Sequence, residues 1–592
     1  MNPNIFKEIA LIGGGPAALL SLKHILNTNL SLQSIFIFEK DDRLGVGMPY
    51  GEKGSCKEHV ANVSSNELPE LAGSFQDYLR RFPSKQFSDF VDAEKLNPYL
   101  VIPRLLLGDY LEDQFEKLID VAVEKGIQVY VHKNTPVKDI IPEVGTNKRF
   151  KVKVDDDNVY NVDHVILCTG HVWPVKYEGS INGWYDSPYP PSKFKQATNF
   201  PVAVRGTSLT AIDAVKTLAR LNGTFTEIDG KMIYELEPSS KNFRLDLFSK
   251  GGFLPALRFH SEDDAYSSEW TMTPQEIYEY KKNNEGFVDL NYVFEMNFKL
   301  PLQKKDPEFY SSIKNLSIEG FVKKMLSLRE RTDSFKLFKA EYEEAEKSID
   351  RKKSITWKEK LAAFSYAMNY PAKHFSAEDM LRLKSTLLPL ISIIIASLPQ
   401  SSYKEMMALH EAGLISLIEV DHESTVEPNL KGGGNYFYKN NEGKAVKKFY
   451  QLFVDAIGQQ QMNREDFPFK SLICEEMVSP AYLRFRDQEK GLKLYSKKEE
   501  NVVKSSDNIY YLNVPGLNIN DHFQSINSMN QSIEGLYIMA VPFIGGLNPD
   551  YSGLDFCDTA AERIIESIAN SGSMKINVET SNTIEQNHRN IL

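Results

Sequence analysis

Short apolar runs that stop at glycine set the pattern of this chain. Residues 9–12 (IALI) break into Gly13, Gly14 and Gly15, and the apolar pattern resumes as LLSLKHIL at helical spacing. This predicts a strand, a tight turn and a helix. A second β-rich run, IFIFEK at 35–40, follows. The same alternation returns at 200–221 (FPVAVRGTSLTAIDAVKTLARL), with LDLFSKGG at 245–252 as its next strand. Between them the pattern predicts helices over 75–82 and 104–125 and strands over 127–131, 149–154 and 162–170. Residues 171–200, rich in Pro, Tyr and Trp, read as a crossover without regular structure.

Beyond 260 the pattern changes. Charged helical stretches dominate, and no glycine falls between Gly320 and Gly413. The most apolar stretch, LLPLISIIIASL at 387–398, is too short to span a bilayer and reads as a buried helix. Strands return with ISLIEV (415–420) and FYQLFVDAIGQQ (449–460), the latter carrying Asp455 and Gly458 as a second TG-like turn and candidate cofactor-binding residues. AYLRFRD alternates at period two, which places Arg484 and Arg486 on one strand face. Residues 535–570 read as strand, Gly/Pro loop and long helix, and the polar stretch from Ser571 is expected to be disordered.

Strands alternating with helices define an α/β chain with two Rossmann-like, dinucleotide-binding units and a helical insertion. The expected division assigns residues 1–200 and 461–570 to the first unit and 201–260 and 401–460 to the second. Residues 261–400 form the insertion, a candidate substrate lid, and 571–592 the tail. A length of 592 residues agrees with two or three domains.

Net charge of −11 argues against a general nucleic-acid or anionic-membrane surface. The four cysteines, Cys56, Cys168, Cys474 and Cys557, form no C-x-x-C. A dithiol flavin reductase and a zinc site are therefore not expected, and no metal is. Few cysteines and no leader pattern predict a cytoplasmic protein.

The chemistry is concentrated in the two glycine turns. Gly13, Gly15 and Ala18 form G-x-G-x-x-A: a tight turn, close approach to a pyrophosphate, and close helix packing. Glu39 stands about 20 residues further on, where a carboxylate binds ribose hydroxyls. In the second turn Gly206, Ser208 and Ala211 occupy the corresponding positions, with serine in place of the second glycine. Ser249 and Lys250 end the next strand, where a hydroxyl and a cation suit a 2′-phosphate, favouring NADPH with NADH as the alternative. Two units imply two nucleotides, FAD on the first and a nicotinamide on the second.

Several motifs together resemble a known family: IGGGPAA (12–18), GVGMPYG (45–51), HVANV (59–63), IPRLLLGDYL (102–111), VILCTGH (165–171), VAVRGTSLTAIDAV (202–215) and LFSKGGFLP (247–255). They are similar to bacterial FAD/NAD(P)-binding proteins that include a urate hydroxylase and the aspartate N-monooxygenase of nitrosuccinate-forming pathways. More distantly they resemble flavin N-hydroxylating monooxygenases of ornithine and lysine. The resemblance implies FAD, NADPH and molecular oxygen acting on a small molecule through a C4a-hydroperoxyflavin. By it, Gly13, Gly15, Pro16, Ala18, Glu39 and Lys40 hold FAD. Met48, Pro49, Tyr50, His59 and Asn62 lie near the isoalloxazine, with Arg104 in the adjoining helix. Thr169 and Gly170 close the flavin side, and Gly206, Ser208 and Ala211 meet the nicotinamide dinucleotide. Lys250 stands where the family has arginine.

Asn62 and His59 are the candidate catalytic residues. Asn62 is equally a loop turn residue and His59 a packed one. Arg258 and Lys250 are candidates for an anionic substrate or cofactor phosphate, and His260, at the start of the insertion, reads as a surface histidine with a site residue as the alternative. Arg484 and Arg486 could meet a substrate carboxylate or simply face solvent. An amine or amino-acid nitrogen is the favoured point of hydroxylation. A reductase without oxygen transfer and a non-enzymatic redox sensor stay open, as does oligomerisation through the insertion.

Overall fold

The computed structural model describes residues 7–28, 30–83, 99, 101–143, 149–154, 158–262, 271–440, 442–551 and 553–571. The expected disordered tail, 572–592, lies outside them.

Two sheets carry the glycine turns. In the first, the strand order is Gln524–Ile526, Ser532–Ile538, His164–Leu167, Lys7–Ile12, Leu32–Phe38, Gln128–His132. All neighbours are parallel except the first pair. Helices Pro16–Asn27, Arg104–Glu124 and Leu554–Ser571 pack on one another and share the core of this sheet. Ile9, Ala10 and Leu11 are fully buried. A parallel strand covered on both faces reads as a continuous apolar run, which is the pattern seen at 9–12.

The second sheet runs Trp184–Tyr185, Leu452–Asp455, Pro201–Arg205, Arg244–Lys250, Ile415–Val420, all parallel. The chain is thus an α/β protein with two Rossmann-like units. Trp184–Tyr185 belongs to this sheet, so part of the 171–200 segment expected to lack regular structure pairs as a strand. A one-turn helix, Pro191–Lys193, follows it.

Strands Arg244–Lys250 and Ile415–Val420 are parallel neighbours, so the helical region is the crossover between them. Gln400–Glu411 is the helix an ordinary crossover would contain, and the helices from Pro274–Asn283 to Leu388–Ile395 are inserted ahead of it. The insertion shares core with both units. Phe294, Phe298, Phe321 and Phe364 cluster with ring centroids 5.0–5.9 Å apart and continue into the core of the first sheet. Phe335, Phe338 and Ala345 join the core of the second. The 387–398 run is helical only over Leu388–Ile395, entered through a π turn at Leu383–Leu387. Leu398 then bridges to Leu257. Among the described residues no helix is long and apolar enough to cross a membrane.

Candidate cofactor and substrate site

The two glycine turns are built alike. Gly13 (φ +102) and Gly206 (φ +122) both leave their strands in the left-handed region. A Cβ on Gly13 would sit 2.9 Å from the Cys168 carbonyl oxygen, and one on Gly206 2.6 Å from that of Ala456. Gly13 N–H donates to Phe38 O and Gly206 N–H to Phe248 O, each at 2.8 Å. Only glycine fits either position.

The helices that follow begin without a side-chain cap, at Gly15 (φ −81, ψ −164) and Ser208 (φ −82, ψ −172). Ser208 therefore takes the backbone conformation of Gly15, an extended one open to any residue. Ala18 and Ala211 are fully buried where helix meets sheet, and Pro16 occupies the first helical turn. Uncapped first turns leave N–H groups for an anion.

Glu39, buried at the end of its strand, accepts from Gly14 N–H (2.7 Å) and Asp41 N–H (2.9 Å). Its carboxylate is thus fixed beside the fingerprint turn, whereas Lys40 is exposed. Thr169 and the exposed Gly170 follow the strand adjoining Gly13, and Thr169 O accepts from Val541 N–H. Cys168 is a buried thiol pushed up to about 12 by burial. In the second unit Lys250 is exposed at its strand end, and Ser249 Oγ accepts from Thr207 Oγ1 at 3.2 Å. Asp455 pairs with Arg205 at 3.2 Å, and Gly458 (φ +87) lies against Thr210.

The glycine loop at 45–51 closes on the first fingerprint. A Cβ on Gly15 would lie 3.3 Å from Gly47 Cα. That contact brings Met48, Pro49 and Tyr50 into the wall of a cavity of about 710 Å³. Asn62 and Arg104 line it from the first unit, and Leu209 and Thr210 from the start of the second unit's helix. Tyr366, Ile394 and Ile395 line it from the insertion, Leu554 and Asp555 from the head of the last helix, and Asp550 from the loop ahead of it. Burial pushes the Asp550 carboxyl up to about 7, with the nearby Asp555 adding to it. Burial likewise raises Asp555 to about 6. No cationic side chain pairs with either among the described residues.

Three expected roles are corrected. His59 is not in the cavity wall: it is buried in the seam between the units. Its Nε2–H reaches Thr217 Oγ1 (3.1 Å), and its Nδ1 accepts from Cys56 N–H (3.2 Å). Thr217 itself donates to Glu58 at 3.1 Å, so it accepts from the imidazole and the ring is the neutral Nε2–H tautomer. Arg258 reaches the cavity but is committed to Glu67 (2.6 Å) and to Asn62 O (2.7 Å), which leaves it unsuited to an anionic substrate. His260 is buried rather than on the surface, its ring 4.5 Å from Tyr99 and its N–H bonded to Ser348.

Arg484 and Arg486 flank the Phe287 ring and bond Glu285 O and Asp289, joining the last part of the first unit to the insertion. Asn62 Nδ2 donates to Ile395 O at 3.4 Å, linking the loop to the insertion. Arg104 donates to Asp213 at 2.6 Å across the seam, and Tyr189 OH donates to the same oxygen at 2.7 Å. Asp213, Tyr189, Asp550, Tyr366 and the Ile394–Ile395 pair were not singled out in the sequence.

The site tests well against FAD and a nicotinamide dinucleotide. Both turns form cradles that a Cβ would fill, both helices lack caps, and Glu39 is held at the first turn. The class defined by fold and site is a two-dinucleotide-binding α/β protein. Residues 10–172 match the family model described as FAD-NAD(P)-binding. Residues 273–395 match the YdhS-like middle domain, which coincides with the inserted helices. The chain is 27% identical over 481 residues to the uncharacterized protein YdhS of Escherichia coli (strain K12), covering 79% of this chain and 86% of that protein. Among solved structures it is similar to the ornithine N-hydroxylase of Kutzneria sp. 744 (12% identity, 96% of this chain and 100% of that one, TM-score 0.47). It is also similar to the ornithine hydroxylase of Pseudomonas aeruginosa (13%, 95% and 99%, TM-score 0.45).

Proposed function

We propose that this protein is a FAD-dependent, NAD(P)H-using monooxygenase that hydroxylates a small nucleophilic substrate, with an amine or amino-acid nitrogen as the favoured atom. The observation that carries this reading is one cavity where three parts of the chain meet. The flavin-side loop (Met48, Pro49, Tyr50), the head of the nicotinamide-side helix (Leu209, Thr210) and the insertion (Tyr366, Ile394, Ile395) all line it. Gly13, Gly15, Pro16, Ala18 and Glu39 would hold FAD, and Gly206, Ser208 and Ala211 the nicotinamide dinucleotide. Bound FAD supplies hydride acceptance from the nicotinamide and activation of oxygen.

The chain's own residues do the rest. Ile394, Ile395 and Tyr366 give the cavity an apolar wall on the insertion side, which limits water there. Asn62 orients a polar group from the cavity wall, its amide already aligned by Ile395 and Arg258. The Asp550 carboxylate, poised near neutrality, accepts the proton that an ammonium substrate must lose before its nitrogen can act as a nucleophile. Asp550 and Asp555, without cationic partners, favour a cationic amine over a purine anion.

The test is rapid mixing. FAD-loaded protein is reduced anaerobically with NADPH and mixed with oxygen while flavin absorbance is followed. The expected result is reoxidation in more than one phase, the last accelerated by an amine substrate. Single-phase reoxidation with stoichiometric hydrogen peroxide, whatever amine is added, overturns the reading in favour of a reductase.

A further inference from the structure

A second cavity, of about 530 Å³, lies on the far side of the nicotinamide-side unit. Gly183, Phe200 and Gln451 line it, and each stands just ahead of a strand of the second sheet. Those strands are parallel, and the Gly206 turn follows their carboxyl ends. Five residues at about 3.3 Å each separate the two places by roughly 16 Å. The cavity is therefore distinct from the dinucleotide cradle.

Its chemistry is one-sided. Lys193, Lys195 and Lys431 line it, and among the described residues no carboxylate does, in a chain of net charge −11. Lys193 is held by Glu178 (2.8 Å to each oxygen) and lies over the Tyr185 and Phe194 rings. Lys195 and Lys431 are exposed, and neither makes a side-chain ion pair among the described residues. Aromatic surface backs these charges: Tyr185 and Phe194 pack at 4.8 Å, Phe200 is part-buried, and Phe449 is 49% exposed.

The walls are built rather than incidental. The loop carrying Lys431 is tied down by Gly433 N–H to Asn182 O at 2.6 Å. A Cβ on Gly433 would lie 2.0 Å from Tyr450 O, and one on Gly183 2.1 Å from Gln451 O. Glycine at both positions lets both loops pack directly on the Tyr450–Gln451 backbone, which holds Lys431 on the cavity wall.

We infer that this cavity is a second binding site, for a small aromatic anion of mononucleotide size: a planar ring against Phe449 and its neighbours, and a phosphate between Lys195 and Lys431. Two lysines free of internal partners supply the charge, and the volume lies within the range of small-molecule sites. The inference does not rest on the proposed oxygen chemistry.

The test is calorimetric titration of FAD-loaded protein, saturated with NADP+, with adenosine 5′-monophosphate and separately with inorganic phosphate. The monophosphate is expected to bind at one site and more tightly than phosphate. K195E/K431E, altered at two exposed positions remote from the dinucleotide cradle, is expected to weaken it tenfold or more while leaving flavin reduction by NADPH unchanged. Abolition of binding by NADP+, equal affinity for bare phosphate, unchanged affinity in K195E/K431E, or no binding at all would each overturn the inference.

Discussion

Arg104 and Asp213 form a 2.6 Å ion pair across the seam between the two nucleotide units, and both side chains are almost wholly withdrawn from solvent. Burial alone would raise the Asp213 carboxyl, but the Arg104 guanidinium first, and the Tyr189 hydroxyl bonded to it, hold it below its ordinary value. Removing one partner of such a pair leaves a buried charge, at a cost of about 3–5 kcal/mol. Asp213→Ala is therefore expected to lower unfolding stability by about that amount in urea. Tyr189→Phe, which deletes one hydrogen bond to a charged group, should cost about 1.5–3 kcal/mol. The sign with pH is fixed. A depressed carboxyl stabilises fully above its unfolded value of about 3.9, and that stability is lost as pH falls through the lower folded value. Asp213→Ala should thus converge with the parent protein only in strong acid.

His59 titrates in a different window. Burial depresses its pKa, opposed in part by Asp213, and in the neutral tautomer both ring nitrogens are already used. Protonation would set a proton on Nδ1 against the Cys56 N–H. A histidine held neutral stabilises fully above its unfolded value of about 6.5 and loses that contribution as pH falls toward its folded value. Unfolding free energy measured from pH 8 to 5 should therefore fall more steeply below 6.5 than in His59→Gln, by up to about 1.4 kcal/mol per pH unit. Parallel profiles would remove His59 from the seam's acid sensitivity.

The glycine turns were legible in sequence because their requirements are local: a positive φ and a close approach are needed within a few residues of Gly13 and Gly206. The seam was not legible, because its partners come from positions 59, 104, 189 and 213. A signal was nonetheless present in AIDAVKTLA, where Asp213 sits among Ala211, Ile212, Ala214 and Val215, all buried. A carboxylate inside an apolar segment must be paired. The run at 387–398 announced burial, but burial does not say against what, and so Ile394 and Ile395 could not be placed on a cavity wall. Arg258 read as a free cation for the same reason: its partner Glu67 lies in the loop at 59–71, which carries no periodic pattern.

The paired turns make separable predictions. Gly13→Ala forces an L side chain into the left-handed region and against Cys168 O. Strain of about 1–3 kcal/mol should appear as loss of FAD during gel filtration and a lower melting temperature. Gly206→Ala meets Ala456 O in the same way. It should retain FAD, yet slow flavin reduction by NADPH at least tenfold in anaerobic stopped flow. Loss of FAD from Gly206→Ala as readily as from Gly13→Ala would break the assignment of one nucleotide to each unit.

Asp550 offers the opposite pH sign from Asp213. Its carboxyl is raised to about 7, by burial first and by the neighbouring Asp555 second, while Ser365 opposes through a hydrogen bond. A carboxyl raised above its unfolded value stabilises fully below that value, and the contribution is lost as pH rises through the folded one. The folded protein should therefore weaken between about pH 4 and 7 on account of this group. Asp550→Asn keeps the shape and removes the charge. It should raise the melting temperature at pH 8 and leave it nearly unchanged at pH 4. Because Asn369 Oδ1 accepts the Asp550 N–H at 2.8 Å whatever the side chain, the loop should hold its place in the variant. The same substitution should abolish the rise in amine-stimulated NADPH use between pH 6 and 8, if Asp550 is the group that takes the substrate's proton. A variant that gains stability at pH 8 but keeps that rise would leave Asp550 as a buried acid and assign the proton to another group in the cavity.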